Sequence, residues 1–180
     1  MTNYRRSDIA GASYFFTVNL ADRLQSLLTD HIALLRSAFE YTRERHPFIV
    51  DAIVILPEHI HAIWTLPEDD SDFALRWRLI KTVFSRGLPH GEHRSESRQS
   101  KGERGIWQRR YWEHLIRDEA DFARHVDYIH INPLKHGLVS RVADWPHSSF
   151  HRYVQAEILP MDWAGDVGVK LECGERRNLD

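Results

Sequence analysis

The sequence predicts an α+β protein with a ferredoxin-like, split βαβ fold, in which an antiparallel sheet carries helices on one face and a C-terminal helical extension follows. Strand and helix periodicities alternate in the order strand, helix, strand, strand, helix, strand, helix. Two of the strands are separated by only a dipeptide, which favours an antiparallel hairpin. A chain of 180 residues suffices for one domain with a substantial core.

The first half of the chain contains three predicted strands and one predicted helix. Residues 13–20, SYFFTVNL, are aromatic and β-branched and form the first strand. Apolar residues recur at helical spacing from about residue 24 to 45, with charged residues on the other side. Strands over 48–56 and 59–66 flank Pro57-Glu58, which we expect to be a turn because proline cannot donate a hydrogen bond inside a sheet.

The next predicted helix begins at an N-cap, Asp72, and ends at Gly87. Residues 90–105 contain no apolar side chain, so we expect a mobile surface loop there. The long aromatic segment 106–117 is predicted as the fourth strand.

Composition excludes several classes of protein. With a single cysteine, Cys173, the chain can form neither an internal disulfide nor a cysteine-based zinc site, and a cytoplasmic location is expected. No apolar run approaches the ~18 residues of a membrane helix, and the start has no apolar signal core. We therefore expect one domain over residues 1–155, a C-terminal tail over 156–180 and no membrane partner.

Charge is unevenly distributed along the chain. The formal net charge is −2, yet ten Lys/Arg and only three Asp/Glu lie between Arg76 and Arg110. Such a patch is typical of a nucleic-acid-binding surface, or of a solvated helix face followed by a mobile loop. Charge alone does not decide between the two.

The segment LPEHIHAIWTLP, residues 56–67, places two histidines in an apolar strand. Alternate residues of a strand share a face, so His59 and His61 point the same way, with backbones about 6.6 Å apart. Two imidazoles so placed can bind one metal ion. Among 12 histidines a chance His-x-His is not rare. Glu58 precedes His59 by one residue, so in a regular strand its side chain points to the opposite face, which makes it a poor third ligand.

A third major helix is predicted from an N-cap at Asp118 to about Asn132, because Pro133 disfavours helical geometry in the residue before it. Tyr128 should stand beside the buried seam of this helix, with Asn132 one turn later on the same face and His130 pointing largely away. Tyr128 can be an amphipathic edge residue and Asn132 a helix cap. Alternatively, Asn132 supplies an oxygen ligand and Tyr128 is a nucleophile assisted by a metal ion on a phosphate.

Several segments resemble one group of DNA-processing enzymes. PEHIHAIW is similar to the histidine–hydrophobe–histidine (HUH) motif of single-strand endonucleases, and YIHINPLKHGLV is similar to their single-tyrosine transposase branch. Together with NYRRSDIAGASYFFTVNL, IWQRRYWEHLIRDEADFARHVDYIHINP and WPHSSFHRYV, they resemble the REP-associated tyrosine transposases, bacterial relatives of insertion-sequence transposases that act on repetitive extragenic palindromes (REP). The resemblance covers about residues 3–154.

The resemblance implies a ligand set, a reaction and a partner. His59 and His61 would bind Mg²⁺ or Mn²⁺, with Asn132 as third ligand, and Tyr128 would attack a DNA phosphate. The products would be a 5′-phosphotyrosine link and a free 3′-hydroxyl. The partner would be single-stranded or hairpin DNA of the REP type. The REP-associated group resembles self-contained monomers, whereas related insertion-sequence enzymes dimerise, so we expect a monomer and leave a dimer open.

Basic and aromatic side chains supply candidate DNA contacts. Lysine and arginine neutralise phosphates, and aromatic rings stack on unpaired bases. At least half of the aromatic rings on an alternating strand must instead face the core. The candidates are Arg5, Arg6, Arg76, Arg78, Lys81, Arg86, Trp107, Arg109 and Arg110.

Three functions remain open at this point. The first is a metal-dependent single-strand DNA endonuclease and strand transferase with a tyrosine nucleophile. The second is a domesticated binder of palindromic hairpins with weak or no cleavage, although such a binder would need neither the histidine pair nor Tyr128. The third is a metal hydrolase in which Tyr128 only positions water, which would leave no covalent intermediate.

Overall fold

A four-stranded antiparallel sheet forms the centre of the computed structural model, which describes residues 9–92 and 94–165. Its strands are β1 (Ser13–Asn19), β2 (Ile49–Ile55), β3 (His59–Thr65) and β4 (Trp112–Leu115). They are arranged in the order β2-β3-β1-β4. Pro57-Glu58 is the predicted turn, where Leu56 N donates to His59 O at 2.9 Å. The predicted ferredoxin-like class is confirmed.

Helices cover both faces of this sheet. They are α1 (Leu27–Asp30), α2 (Ile32–Arg45), α3 (Phe73–Gly87), α4 (Glu96–Gln99), α5 (Glu119–Lys135) and α6 (Phe150–Gln155), with a 3₁₀ turn at Val142–Asp144. α2 and α3 pack on the face that carries Tyr14, Phe16 and Val18, whereas α5 packs on the opposite face, which carries Phe15. The helices of the split βαβ unit thus share one face, as predicted, and the appended α5 closes the other.

The larger core is aromatic. Trp64 of β3 and Trp77 of α3 stack with ring centroids 4.2 Å apart, and Phe16 of β1 meets Trp77 edge-on at 5.6 Å. All three side chains are fully buried. Each buried side chain of this size contributes roughly 1.5–3 kcal/mol or more. This packing fixes α3 against the sheet and thereby positions the basic residues on its outer side.

One predicted boundary near the basic segment was wrong, and the predicted loop before it contains a short helix. The fourth strand is only Trp112–Leu115, because β1 pairs with it from Tyr14 to Thr17 and the chain before it forms no more than an isolated bridge. Arg109 and Arg110 therefore precede the strand. The predicted mobile loop, residues 90–105, includes α4. Within this loop Arg104 forms an ion pair with Glu92 at 2.7 Å. That hydrogen bond lowers the pKa of Glu92 to about 2.

The helix boundaries also differ from prediction in two places. The first predicted helix is interrupted at His31, which separates α1 from α2. Asp118 caps α5 as expected, accepting from Asp121 N at 2.8 Å, but the helix continues through Pro133 to Lys135. Proline removes only one amide donor from the last turns, and the Asn132 carbonyl still accepts from His136 N at 3.0 Å.

The C-terminal extension covers the outer side of α5. His130 points away from Tyr128 but is fully buried beneath α6, where its Nε2 lies 3.0 Å from Ser149 Oγ. Burial and the nearby charge of Arg152 lower the pKa of His130 to about 4. Apolar packing continues beyond residue 155 to Trp163, whose ring centroid lies 6.0 Å from that of Phe150. Within the described ranges no helix is long and apolar enough to cross a membrane.

Candidate functional site

The two histidines of β3 converge at one end of the strand. His59 and His61 are fully buried, and their Nε2 atoms lie 3.1 Å apart. Their side chains face α5, because the alternate residues Ile60 and Ala62 belong to the core on the other face. Two nitrogens that each lie about 2.1 Å from a common ion, at a right angle, are roughly 3 Å apart. The observed separation therefore suits a shared metal ion.

Glu58 holds the outer nitrogen of His59. Its Oε1 lies 2.9 Å from His59 Nδ1, and Arg23 donates to the same oxygen at 3.2 Å. Burial raises the pKa of Glu58, but the hydrogen bond and charge of His59 and the hydrogen bond from Arg23 outweigh burial and lower the pKa to about 2. An ionised carboxylate only accepts, so His59 carries a proton on Nδ1 and, when neutral, presents the Nε2 lone pair to a metal ion.

Thr17 holds the outer nitrogen of His61. Its Oγ1 lies 2.9 Å from His61 Nδ1, since the two residues are directly opposite in the register of β1 and β3. A hydroxyl both donates and accepts. The Thr17 hydroxyl can therefore donate to Nδ1 when the His61 proton is on Nε2, where it hydrogen-bonds His59. It can equally accept from Nδ1 when Nε2 is unprotonated, as a metal ligand must be. Sequence reasoning missed Thr17, and the cross-strand register is the signal that identifies it.

Glu58→Gln is expected to weaken divalent-ion affinity by about 10- to 100-fold, the usual effect of removing the partner behind a metal-bound histidine. The amide keeps the size of the side chain but loses the charge that favours the Nδ1–H tautomer of His59. Calorimetric titration with Mn²⁺ measures the effect. Asp127→Asn, which neutralises an exposed carboxylate on α5, is the matched control and should leave the affinity unchanged. Equal affinities for wild type and Glu58→Gln would contradict the role of Glu58.

α5 presents three residues to the histidine pair. Residues four apart on a helix share a face, as Tyr128, Asn132 and His136 do. The Tyr128 ring lies edge-on to His61 and the His136 ring edge-on to His59, both with centroids 5.3 Å apart. Asn132 lies between these two contacts and is fully buried, so it faces the pair. Sequence reasoning missed His136, although its helical spacing from Tyr128 marks it.

Tyr128 is fully buried, so the prediction that it stands beside the buried seam was wrong. It packs with Val126 and Ile129 in the core between α5 and the sheet. The sheet therefore covers the side of α5 that carries Tyr128 as well as the apolar side. Its ring meets Phe15 edge-on at 6.2 Å. Lys135 Nζ donates to its hydroxyl oxygen at 3.2 Å. A phenol and two imidazoles are thus in contact at one end of the sheet.

A second cluster of potential metal ligands lies about one turn before Tyr128. His114, Asp121 and His125 place their ligand atoms within 4.8 Å of one another. The two imidazole rings, however, stack at 4.8 Å and 19°, so their in-plane lone pairs run nearly parallel and do not converge. Asp121 instead accepts from His114 Nε2 at 2.8 Å and from Arg117 N at 3.1 Å. The cluster ties β4 to the start of α5.

A groove of about 660 Å³ lies between α3 and residues 102–111. It contains five of the predicted DNA-contacting residues: Arg78, Lys81, Arg86, Trp107 and Arg109. The three arginines are exposed, whereas Trp107 is only 8% exposed and forms part of the floor. Arg110 is exposed but does not line the groove, and Arg5 and Arg6 lie outside the described residues.

Two cations of the groove already have protein partners. Arg109 Nε lies 2.9 Å from Glu103 Oε2, and Lys81 Nζ donates to the Gln108 carbonyl at 3.2 Å. Exposed ion pairs of this kind contribute little to stability because water screens both charges. Arg109 can therefore exchange Glu103 for a phosphate group at little cost.

The groove and the histidine pair meet at the same end of the sheet. Asn19, the last residue of β1, is directly opposite His59, and its carbonyl accepts from Gln108 N at 3.0 Å. Trp112 of β4 is directly opposite Thr17 and is 37% exposed. Trp112 and His61 are therefore both cross-strand neighbours of Thr17.

Arg76 does not contact DNA, contrary to prediction, because it is fully buried. Its guanidinium donates to the carbonyls of Asp72 at 2.9 Å and Pro47 at 2.8 Å, and to the Asp70 carboxylate at 2.7 Å. The residue lies on the inner side of α3. Its partners come from the short segments that immediately precede β2 and α3. Arg76 is therefore a structural residue.

Comparison with known proteins identifies close relatives, although no protein-family profile matches the chain. The chain is 53% identical over 173 residues, 96% of its length and 98% of the relative, to a candidate REP-associated tyrosine transposase of Haemophilus influenzae. It is 48% identical over 176 residues, 98% of each protein, to the REP-associated tyrosine transposase of Escherichia coli. A solved structure of a REP-associated tyrosine transposase bound to a REP hairpin is 48% identical, covers 98% of both chains and superposes with a TM-score of 0.84.

Proposed function

The chain belongs to the family of REP-associated tyrosine transposases, and we propose that it is a metal-dependent single-strand DNA endonuclease and strand transferase that acts on REP hairpins. One observation carries the proposal: the Nε2 atoms of His59 and His61 lie 3.1 Å apart, beside the ring of Tyr128. A hairpin-binding protein without catalysis would need neither the converging imidazoles nor the phenol next to them.

His59, His61 and Asn132 would hold Mg²⁺ or Mn²⁺. Two imidazoles and an amide oxygen suit such an ion when water and phosphate oxygens complete its shell. Glu58 and Thr17 keep the two rings oriented for this purpose. When bound, the ion polarises the scissile phosphate and spreads the charge of the transition state.

Tyr128 is the proposed nucleophile. Its Oη forms a bond to phosphorus while the bond between phosphorus and the 3′-oxygen breaks. The phenolic proton passes to solvent, and the departing 3′-oxygen takes a proton from solvent. The products are a 5′-phosphotyrosine link and a free 3′-hydroxyl. Because the link is itself a phosphodiester, a 3′-hydroxyl of a second strand can attack it, which transfers the strand.

The basic groove is the proposed site for the hairpin. Arg78, Arg86 and Arg109 would neutralise phosphates of the stem. A related transposase is bound to a REP hairpin, which supports a partner of this kind. Trp112 offers an exposed indole on the sheet face of the histidine pair, where an unpaired base can stack for about 1–3 kcal/mol. Binding of the stem and cleavage of the single strand would thus use adjacent surfaces.

Simultaneous replacement of Arg78, Arg86 and Arg109 by glutamine is expected to weaken hairpin binding and to reduce the slope of log K against log[salt] by about 0.9 for each lost phosphate contact. Fluorescence anisotropy over a series of KCl concentrations measures both quantities. Arg43→Gln, an exposed arginine of α2 outside this groove, should change neither. An unaltered salt slope in the triple variant would show that the hairpin binds elsewhere.

A covalent-trapping experiment tests the proposed function. The protein is incubated with a labelled single-stranded oligonucleotide that carries a REP hairpin from its own genome, in the presence of Mn²⁺, and separated on a denaturing protein gel. We expect a labelled protein band that disappears with a chelator and in His59→Ala. Tight hairpin binding without the band would support the domesticated binder, and cleavage without it would support the hydrolase.

A further inference from the structure

Lys135 directly contacts the proposed nucleophile. It is the last residue of α5, about two helical turns after Tyr128, and its Nζ lies 3.2 Å from the Tyr128 hydroxyl oxygen and 4.5 Å from the centre of the ring. Tyr128 is fully buried, whereas Lys135 is exposed. The Lys135 side chain therefore connects the protein surface with the buried Tyr128 oxygen.

The usual role of a lysine at a helix C-terminus does not explain this contact. Such a lysine interacts favourably with the helix dipole and with the last carbonyls, and its side chain otherwise extends into water. Lys135 instead extends toward the N-terminus of α5, the direction that helical geometry allows, and donates to a buried hydroxyl. Ordering this flexible side chain costs conformational entropy, which the cation–π contact and the hydrogen bond offset.

We propose that Lys135 is a catalytic residue that holds the Tyr128 oxygen and binds the scissile phosphate next to it. This inference rests on the proposed function. An ammonium group has three donors, so it can contact Oη and a non-bridging phosphate oxygen at the same time. Such a bridge brings the reacting atoms together and neutralises charge that develops on them.

The role of Lys135 leaves the balance of the reaction unchanged. The bond from Oη to phosphorus forms, the bond to the 3′-oxygen breaks, and protons exchange with water as described above. Lys135 keeps its own protons and acts by charge and hydrogen bonding. In strand transfer the same group stabilises the Tyr128 oxygen as it leaves phosphorus, because the second step is the reverse of the first.

Lys135→Ala and Lys135→Arg test the inference in the full-length chain. We expect Lys135→Ala to slow covalent-adduct formation by about 10²- to 10³-fold, the typical effect of losing one charge-stabilising donor, with little change in hairpin affinity or Mn²⁺ affinity. Lys135→Arg should recover part of the rate. Ethylammonium should also restore the rate of Lys135→Ala, whereas tetramethylammonium, which has no donor, should not. Arg141→Ala, an exposed cation beyond α5, is the matched control.

The outcomes separate this inference from the proposed function. If wild type forms the adduct and Lys135→Ala forms it equally fast, the inference is overturned and the proposed function stands. Loss of activity that is accompanied by a lower melting temperature and is not restored by ethylammonium would make Lys135 structural and would also overturn it. A wild-type protein that forms no adduct overturns both.

Discussion

Tyr128→Phe is expected to reduce formation of the covalent protein–DNA adduct by at least roughly 10³-fold, because the substitution removes the attacking oxygen and nothing else. The phenyl ring keeps its edge-on contacts with His61 and Phe15. The protein loses the hydrogen bond from Lys135, which is worth about 1 kcal/mol of stability. Hairpin affinity should therefore be retained. Denaturing gels measure the adduct, and fluorescence anisotropy measures binding.

A matched tyrosine provides the control. Tyr153 is partly buried and its hydroxyl donates to the Asp51 carbonyl at 3.1 Å, but it lies in α6, away from the histidine pair. Tyr153→Phe should form the adduct at the wild-type rate. If the adduct persisted in Tyr128→Phe and disappeared in Tyr153→Phe, the assignment of the nucleophile would be wrong.

Arg76→Ala is expected to have the largest effect on stability, lowering the free energy of unfolding by about 3–5 kcal/mol. The substitution leaves the Pro47 carbonyl and the Asp70 carboxylate without the guanidinium that donates to them, and it opens a cavity under α3. Urea denaturation followed by circular dichroism measures the change. Arg78→Ala, two positions along the same helix and exposed, should change the free energy by no more than about 0.5 kcal/mol.

The contribution of Arg76 also has a predictable pH dependence. Its hydrogen bond is the main cause that lowers the pKa of Asp70 from 3.8. A carboxyl group whose pKa is lower in the folded state contributes stability above its unfolded pKa and loses that contribution as the pH falls through the folded value. The difference between wild type and Arg76→Ala should therefore narrow below about pH 4. A difference that stays constant to lower pH would contradict this role of the ion pair.

The fold was predictable because its signals are local. Aromatic and β-branched runs, a two-residue turn containing Pro57 and the N-caps Asp72 and Asp118 each specify one element, and the order of elements specifies the class. The alternation of strand side chains likewise placed His59 and His61 on one face. The convergence of their Nε2 atoms agrees with that prediction.

Errors arose where packing from elsewhere decides the environment of a side chain. Arg76 follows Phe73 by three residues and precedes Ile80 by four, so helical periodicity places it on the inner face of α3, but its charge suggested a surface position. Its partners include Asp70 and the Pro47 carbonyl. Both lie in short connecting segments, whose positions no helical or strand periodicity identifies. The depth of burial of a charged residue therefore depends on such distant partners.

For the residues that support the site, too, local spacing was predictable whereas contacts between distant segments were not. Strand alternation predicts that the Glu58 side chain points away from the face that carries His59 and His61, which makes it a poor ligand. Its position behind the His59 ring, at Nδ1, agrees with that prediction. Its orienting role depends on the turn geometry, and the role of Thr17 depends on strand register. Tyr128 and Asn132 were located by helical spacing, whereas the contact of Lys135 with Tyr128 depends on a side-chain path that spacing does not specify.

We propose that Tyr128, beside the histidine pair, becomes covalently linked to DNA. Mass spectrometry of the protease-digested adduct, formed with Mn²⁺ and the REP hairpin oligonucleotide, tests it most directly. We expect the peptide containing Tyr128 to gain the mass of the 5′-phosphorylated DNA segment, and the released strand to end in a 3′-hydroxyl. Modification of a different residue, or cleaved DNA together with unmodified protein, would contradict it.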